Sequence, residues 1–484
     1  MGIGSTKSSN VRQRVSRERW PAKSGRGEAQ SLEASRAGEV SERTWRIASV
    51  SIFVVAAVLR MYQLSLVPLH HDEGVNGNFL VRLVREGVYH YDPANYHGPT
   101  LYYFAAIFPW ILRFLFGSHA QDTYGLTTFA IRLVPALFGA ATVGLVLTLR
   151  RNLGAIATLS AACLLAISPG AVYLSRYFIH ETLFVFFTLG IVVAGLKYFE
   201  DSPPFYLILT AISTALLFAT KETAIISAGV LVIALLLTHL YRRLSKRQAN
   251  ARNPIRKKKS RYDSGGGEYR RFVERVGGPT TLTVWIVVAL AVFIAVNVLF
   301  YSSFFTNYPK GVSDALRTFQ FWAKTGKEAH VHPSFMTYIW WLLRQESPLL
   351  VLGAIGAALA ILQPTRSLAL FSALWAFGLI AAYSLIAYKT PWLSLNFIVP
   401  LALISGTAIQ WLYEELGKWE LDKRARVLVV VAVLLVAIGP LPGAVRVFDQ
   451  IVAADPAVGL FKPFAQAQLH WKTFIPGYQT IDLN

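Results

Sequence analysis

The sequence predicts an all-α, polytopic membrane protein of about eleven transmembrane helices, and three observations predict it. Apolar side chains make up 54% of the 484 residues and charged ones only 15%, whereas a soluble domain carries about 25% charged residues. The apolar residues fall in long runs, and about 20 in succession suffice to cross a hydrocarbon core. The positive charge lies between those runs rather than on them. A mean hydropathy of +0.43 excludes a disordered chain and an ordinary cytosolic enzyme. A single cysteine, Cys163, excludes a disulfide scaffold.

The net charge of +20 is unevenly placed. Residues 1–46 hold ten Lys/Arg against five Asp/Glu, and 242–275 hold thirteen against three, so the two stretches carry +15. Neither has interleaved aromatics, and both flank apolar spans, as positive-inside anchoring requires. They read as cytoplasmic segments facing anionic lipid headgroups; membrane lipids are the expected partners, and nucleic acid is not. The chain therefore divides into a disordered basic cytoplasmic arm (1–46), a membrane domain (47–447) and a short outer tail (448–484). The first apolar stretch begins too far from the N-terminus for a cleaved secretory signal, so it reads as a retained anchor.

Spans are expected near 47–66, 129–149, 154–173, 182–199, 204–220, 223–241, 281–301, 347–363, 367–387, 392–413 and 426–446. A twelfth apolar run, 99–117, is decided by charge. If it crossed, the basic loop at 242–279 would lie outside, against the positive-inside rule. If it lies along the outer face, Arg150, Arg151, Lys197, the basic loop, Arg366 and 418–426 all share the cytoplasmic side. Pro109 and Arg113 within the run suit an interfacial helix. The first outer loop, 67–128, therefore carries interfacial helices, and the N-terminus is cytoplasmic.

The middles of these spans hold no ionisable residue. Transporters place theirs near the midplane, whereas here Asp72, Glu73, Arg176, Glu181, Lys221, Glu222 and Lys389 gather at the outer ends. That distribution fits a reaction at the membrane surface. His70-His71-Asp72-Glu73 offers adjacent carboxylates for a general base or a metal ion, or else Asp72 as the cap of a helix beginning near Gly74. One histidine, His71, would join Asp72 as a divalent-metal ligand, and such an ion is the one cofactor these residues suggest. His97-Gly98-Pro99 delivers a histidine to a helix start, where a phosphate is favoured. Arg176 and His180, four apart, would share a helix face, with Glu181 at the start of the next span. Thr220-Lys221-Glu222-Thr223 reads as a tight hairpin, either an internal salt bridge or a lysine aimed at a lipid phosphate. Tyr388-Lys389-Thr390-Pro391-Trp392 repeats the pattern of a cation at the membrane surface.

The chemistry such a set suits is glycosyl transfer from a polyprenyl-phosphate sugar. The donor phosphate sits at headgroup depth, its leaving group is an anion that needs cations, and the acceptor hydroxyl needs a base. The competing expectation is a non-catalytic, flippase-associated or transport component of lipid-linked glycan assembly.

Taken in order, His71-Asp72-Glu73-Gly74, His97-Gly98-Pro99, Arg132-Leu133-Val134-Pro135-Ala136-Leu137-Phe138-Gly139, Ser175-Arg176 with Glu181, Thr220-Lys221-Glu222-Thr223 and Lys389-Thr390-Pro391-Trp392 resemble the GT-C membrane glycosyltransferases. The likeness is to the protein O-mannosyltransferase and aminoarabinose-transferase group, and more closely to its "flippase activity-associated" subfamily. It spans 47 to about 410. The resemblance implies a GT-C-like bundle in the cytoplasmic (inner) membrane, an inverting enzyme with its site on the outer face, and a glycan, lipid or protein acceptor. It implies Asp72, Glu73 and Glu181 as catalytic residues, and Arg176, Lys221, His97 and Lys389 as the donor-phosphate set. The family's usual aspartate after the second-loop arginine is Glu181 here, and the aminoarabinose enzymes' Glu-Lys pair is His97-Gly98.

Overall fold

The computed structural model describes residues 40–65, 69–93, 97–117, 125–252, 267–325, 334–363 and 366–438. Most of the basic arm, the centre of the basic loop and the C-terminal tail lie outside the described residues. The described chain is helical throughout, with no strand.

Its first half runs α1 (Glu42–Met61), α2 (His71–Glu86), α3 (Thr100–Phe116), α4 (Thr128–Leu147), α5 (Arg150–Leu153), α6 (Ala155–Ile167), α7 (Pro169–Leu174), α8 (Glu181–Asp201) and α9 (Pro204–Phe218). There follow α10 (Ala224–Arg252), α11 (Gly267–Val276), α12 (Pro279–Tyr301), α13 (Lys310–Thr325), α14 (Thr337–Gln345), α15 (Ser347–Leu362), α16 (Ser367–Leu385), a 3₁₀ turn Pro391–Ser394, α17 (Leu395–Lys418) and α18 (Lys423–Ile438). Seven helices are long and apolar enough to cross a membrane, and eight if α14 and α15, bent by 112° at Glu346, count as one. The expected eleven is reached only by adding α6, α9 and α18, of 13, 15 and 16 residues.

The spine is α17, buried along nearly its whole length against α6, α15 and α16. Small residues let these backbones close on one another, as in lipid-embedded bundles where dispersion contacts replace the hydrophobic effect. A Cβ on Gly406 would lie 2.2 Å from the Ala157 carbonyl, and one on Gly356 2.3 Å from the Ile404 carbonyl. The first-turn N–H of Ala157, which has no partner within its own helix, donates to Gln410 Oε1 at 3.1 Å.

Charged groups sort the bundle into two ends. At one end Arg150 pairs with Glu42 at 2.7 Å and Arg151 with Asp201 at 3.5 Å. Arg366 meets Glu414 there, and Arg275 binds the carbonyls of Phe199 and Glu200. At the other end stand α2, the turns at 175–180 and 219–223, and the segment 386–394. Buried Arg60, in the last turn of α1, donates to the carbonyls of Leu165 and Ala166 at 3.0 and 2.9 Å, closing the C-terminus of α6. The chain enters α3 at Thr100, bonded to Thr220, and leaves it for α4, whose Arg132 reaches Glu73. Both contacts, at the start of α3 and in the second turn of α4, lie at this second end.

Candidate functional site

The site is built on the first turn of α2. Its cap is His70, whose Nδ1 accepts from the Asp72 N–H at 3.3 Å, while Glu73 accepts from the His70 N–H at 2.9 Å. This reciprocal capping box starts the helix at His71 rather than near Gly74, so Asp72 is not the cap. Its carboxylate is left 31% exposed, 4.0 Å from His70 Nδ1.

Glu73 points the other way and is fully buried. Its two oxygens accept from Arg132 Nε at 2.7 Å and Nη2 at 2.6 Å, and from the N–H groups of His70 and Phe178 at 2.9 Å. Burial would raise its pKa, but Arg132 and the two N–H donors outweigh that and hold the carboxyl below the usual range. Expected as a catalytic group, Glu73 is instead the bolt that joins α2, α4 and the 175–180 turn. Asn76 extends the join, donating to the Phe178 carbonyl at 3.0 Å and accepting from the Tyr102 hydroxyl at 2.9 Å.

A second charged group is assembled from three loops. Gly98 N–H donates to the Thr220 carbonyl at 3.0 Å, and Thr100 N–H to Ala219 at 3.2 Å. A Cβ on Gly98 would sit 2.1 Å from the Ala219 carbonyl, so only glycine permits this approach. Of the two expectations for the turn at 220–223, the internal salt bridge is not formed, because Lys221 and Glu222 each take a partner from another loop. Lys221 Nζ donates to Glu181 Oε1 at 2.6 Å, and Glu222 Oε2 accepts from His97 Nδ1 at 2.8 Å. Burial alone would lower the Lys221 pKa, yet Glu181 and Glu222 raise it above the ordinary lysine range. Burial would raise Glu222, but His97 and Lys221 hold it below the usual carboxylate range. Buried His180 does not share a helix face with Arg176, because 175–180 is a turn. Its Nε2 meets the Gly98 carbonyl at 3.0 Å, and burial pushes its pKa well down.

Partly buried Tyr388 responds to charges of both groups. Its pKa is raised, first by burial, and Lys221, Asp72, Glu222 and Glu181 all act on its hydroxyl. Asp72 on α2 and the Glu181–Lys221 and His97–Glu222 pairs stand at the same end of the bundle.

Two expected phosphate ligands are directed elsewhere. Arg176 donates to the carbonyls of Leu59, Arg60, Tyr62 and Gln63 at 2.7–3.3 Å, and burial lowers its pKa to about 10. Lys389 Nζ donates to the carbonyls of Tyr383, Ser384 and Ile386 at 3.2, 2.9 and 2.6 Å. Each closes a helix C-terminus, where a cation meets the negative end of the macrodipole. As for a metal, His71 and Asp72 are neighbours on one turn, and among the described residues no three His, Cys, Asp or Glu gather to hold an ion.

The residues not foreseen as functional are Arg132, Glu222, Tyr388 and Trp322, which lies 5.2 Å from the His97 ring. An arginine inside an apolar run was the available signal for Arg132, because such a charge needs a partner. Nothing local announced Trp322.

The sequence over residues 50–310 matches the dolichyl-phosphate-mannose-protein mannosyltransferase family. No curated protein matches the chain. Among solved structures, ArnT from Cupriavidus metallidurans bound to undecaprenyl phosphate superposes with a TM-score of 0.57 at 16% identity, covering 90% of this chain and 78% of that one. The same ArnT in the apo state gives 0.52 at 18% identity, covering 88% and 76%. The Archaeoglobus fulgidus oligosaccharyltransferase tethered to an acceptor peptide gives 0.51 at 16% identity; it covers 85% of this chain, which spans only 55% of that protein. These likenesses establish a shared fold, and the sequence match covers more than half of the chain, from the first span through the basic loop. The chain belongs to the dolichyl-phosphate-mannose-protein mannosyltransferase family, within the GT-C membrane glycosyltransferases.

Proposed function

We propose that the chain transfers a sugar from a polyprenyl-phosphate donor to an acceptor hydroxyl at the outer face of the cytoplasmic membrane, by a single displacement that inverts the anomeric centre. The observation that carries this reading is the gathering of partly exposed Asp72 and the Glu181–Lys221 and His97–Glu222 pairs at the same end of an apolar bundle. The fold shared with an ArnT structure bound to undecaprenyl phosphate supports the donor class.

In this mechanism the acceptor oxygen attacks the anomeric carbon as the bond from that carbon to the phosphate oxygen breaks. Asp72 takes the hydroxyl proton, and the electron pair departs on the polyprenyl phosphate. Lys221 and His97 face that developing charge, and Glu181 orients Lys221. A cation placed where charge grows is worth most in a water-poor site. Glu73 with Arg132 fixes the turn that presents Asp72; Arg176 and Lys389 fix helix ends around it. His71 beside Asp72 is the pair that would hold a divalent ion. A glycan, a lipid or a protein is the acceptor.

The test uses membranes supplied with labelled lipid-linked sugar. Asp72→Asn should lower transfer by at least about 100-fold with protein abundance unchanged. Full transfer by that variant overturns the base assignment. Lipid translocation by the wild type in proteoliposomes, with no new glycosidic bond, replaces the enzyme with a transport component.

A further inference from the structure

Glu222 belongs to no role assigned so far, and its geometry is specific. Its side chain is 6% exposed and accepts from His97 Nδ1 at 2.8 Å, while the His97 side chain is 21% exposed. The imidazole is therefore held from the protein side by one nitrogen, leaving Nε2 as the nitrogen that Glu222 does not hold. The ring is also pinned laterally, with His180 edge-on at 5.3 Å and Trp322 tilted at 5.2 Å. Bonding of Gly98 to Thr220 fixes the backbone beside it. Lys221 is bonded to Glu181, so the neighbouring ammonium has a carboxylate of its own and leaves Glu222 to the imidazole. Of the other titratable groups here, His180 sits beside His97, while Tyr91 and Tyr301 lie near Glu222.

We propose that Glu222 is a positioning residue for His97: it fixes the ring with Nε2 toward the donor phosphate and keeps it an imidazolium, onto which the polyprenyl phosphate departs. The inference rests on the glycosyl-transfer reading and deepens it. The donor is a phosphodiester with one negative charge. When the bond between its anomeric carbon and phosphate oxygen breaks, the leaving group becomes a phosphate monoester with a second charge and a second pKa near 6. An imidazole titrates near 6.5, so Nε2–H can strengthen its hydrogen bond to that oxygen, or pass the proton to it, as the charge appears. The products are then a neutral imidazole and a monoanionic lipid phosphate, with the acceptor's proton on Asp72. An interaction that grows along the reaction lowers the barrier, whereas one equally strong in the ground state does not.

The experiment compares full-length wild type, Glu222→Gln and His97→Gln. A first readout needs no turnover: affinity for farnesyl phosphate as a function of pH. Wild-type affinity should fall about tenfold once rising pH removes the second imidazole proton; Glu222→Gln should lose that affinity at a lower pH than the wild type, and His97→Gln should show no such dependence. With a lipid-linked sugar that supports transfer, Glu222→Gln should lower kcat at least about tenfold, leave KM within a factor of about 3, and move the alkaline limb of the pH profile to lower pH. The double variant should lose no more than His97→Gln alone. A pH-independent wild-type affinity, a wild-type pH profile in Glu222→Gln, or multiplying losses in the double variant would overturn the proposal. Failure of the wild type to transfer any lipid-linked sugar strikes instead at the glycosyl-transfer reading, and the farnesyl phosphate titration still decides the role of Glu222.

Discussion

At Glu73 each carboxylate oxygen accepts two hydrogen bonds, so the residue ties the first turn of α2, with Asp72 on it, to α4 and the 175–180 turn. A buried ion pair of this kind contributes little net stability against an apolar replacement, but removing one partner strands the other. Glu73→Gln and Arg132→Met should each destabilise the purified protein by about 3–5 kcal/mol, while the double variant should lose less than the sum; thermal unfolding in one detergent measures this cycle. The same buried groups set the acid response. Glu73 and Glu222 are held below the ordinary carboxylate range when folded, so their stabilisation is present above the unfolded pKa, about 4.3, and is lost as pH falls through the folded values. Lys221 is held above the lysine range, so its contribution is fully present below the unfolded pKa and is lost only as pH rises through the raised value. The unfolding temperature should therefore decline in two stages as pH falls: first below about 6.5, where the unfolded chain takes up a proton that buried His180 does not, and again below about pH 4, with a smaller second decline in Glu222→Gln.

Two short segments, 97–100 and 219–222, form the part of the site that depends most on backbone fit. Gly98→Ala places a methyl group against the Ala219 carbonyl, and the segments must part. Displacing His97 from Glu222 by an ångström should cost transfer about 100-fold while leaving helix content intact by circular dichroism. Gly229→Ala, on α10 where an added Cβ meets nothing within 4 Å, should shift stability by less than about 0.5 kcal/mol. At this scale the sequence was legible in part. Apolar runs located the spans, and Pro-Gly punctuation placed His97 just ahead of a helix. The turn at 220–223 lies between two apolar helices as expected, but the internal Lys221–Glu222 bridge, the alternative that proximity in sequence favours, is not formed. The folded chain offers each a partner from another loop.

Seen whole, the bundle has one end of arginine-rich pairs and one end of buried carboxylate–cation pairs. By the positive-inside rule the first is the end expected in the cytoplasm. With Cys163 replaced by serine, a single cysteine at exposed position 201 should be labelled from the cytoplasmic side and one at exposed position 90 only from the other. Labelling of both from the same side would refute the two-ended orientation. The helix count shows the limit of hydropathy at this scale. Three helices expected as spans have 13 to 16 residues, because elements walled by α1, α8, α12 and α17 need not match the bilayer by length alone.

The sequence by itself determined the membrane solvent, the approximate spans, the side on which charge gathers and the motifs that carry the chemistry. These follow from composition, periodicity and the cost of charge in lipid, all local quantities. Only the tertiary structure decided which partner each of the gathered charges takes. Arg176 and Lys389 look like phosphate ligands in sequence, yet they close helix ends; Glu73 looks as reactive as Asp72, yet it is saturated by Arg132. The reason is that a charged group withdrawn from water takes whichever partner the packing brings within about 3 Å, and the partner of Glu222 stands 125 residues away along the chain.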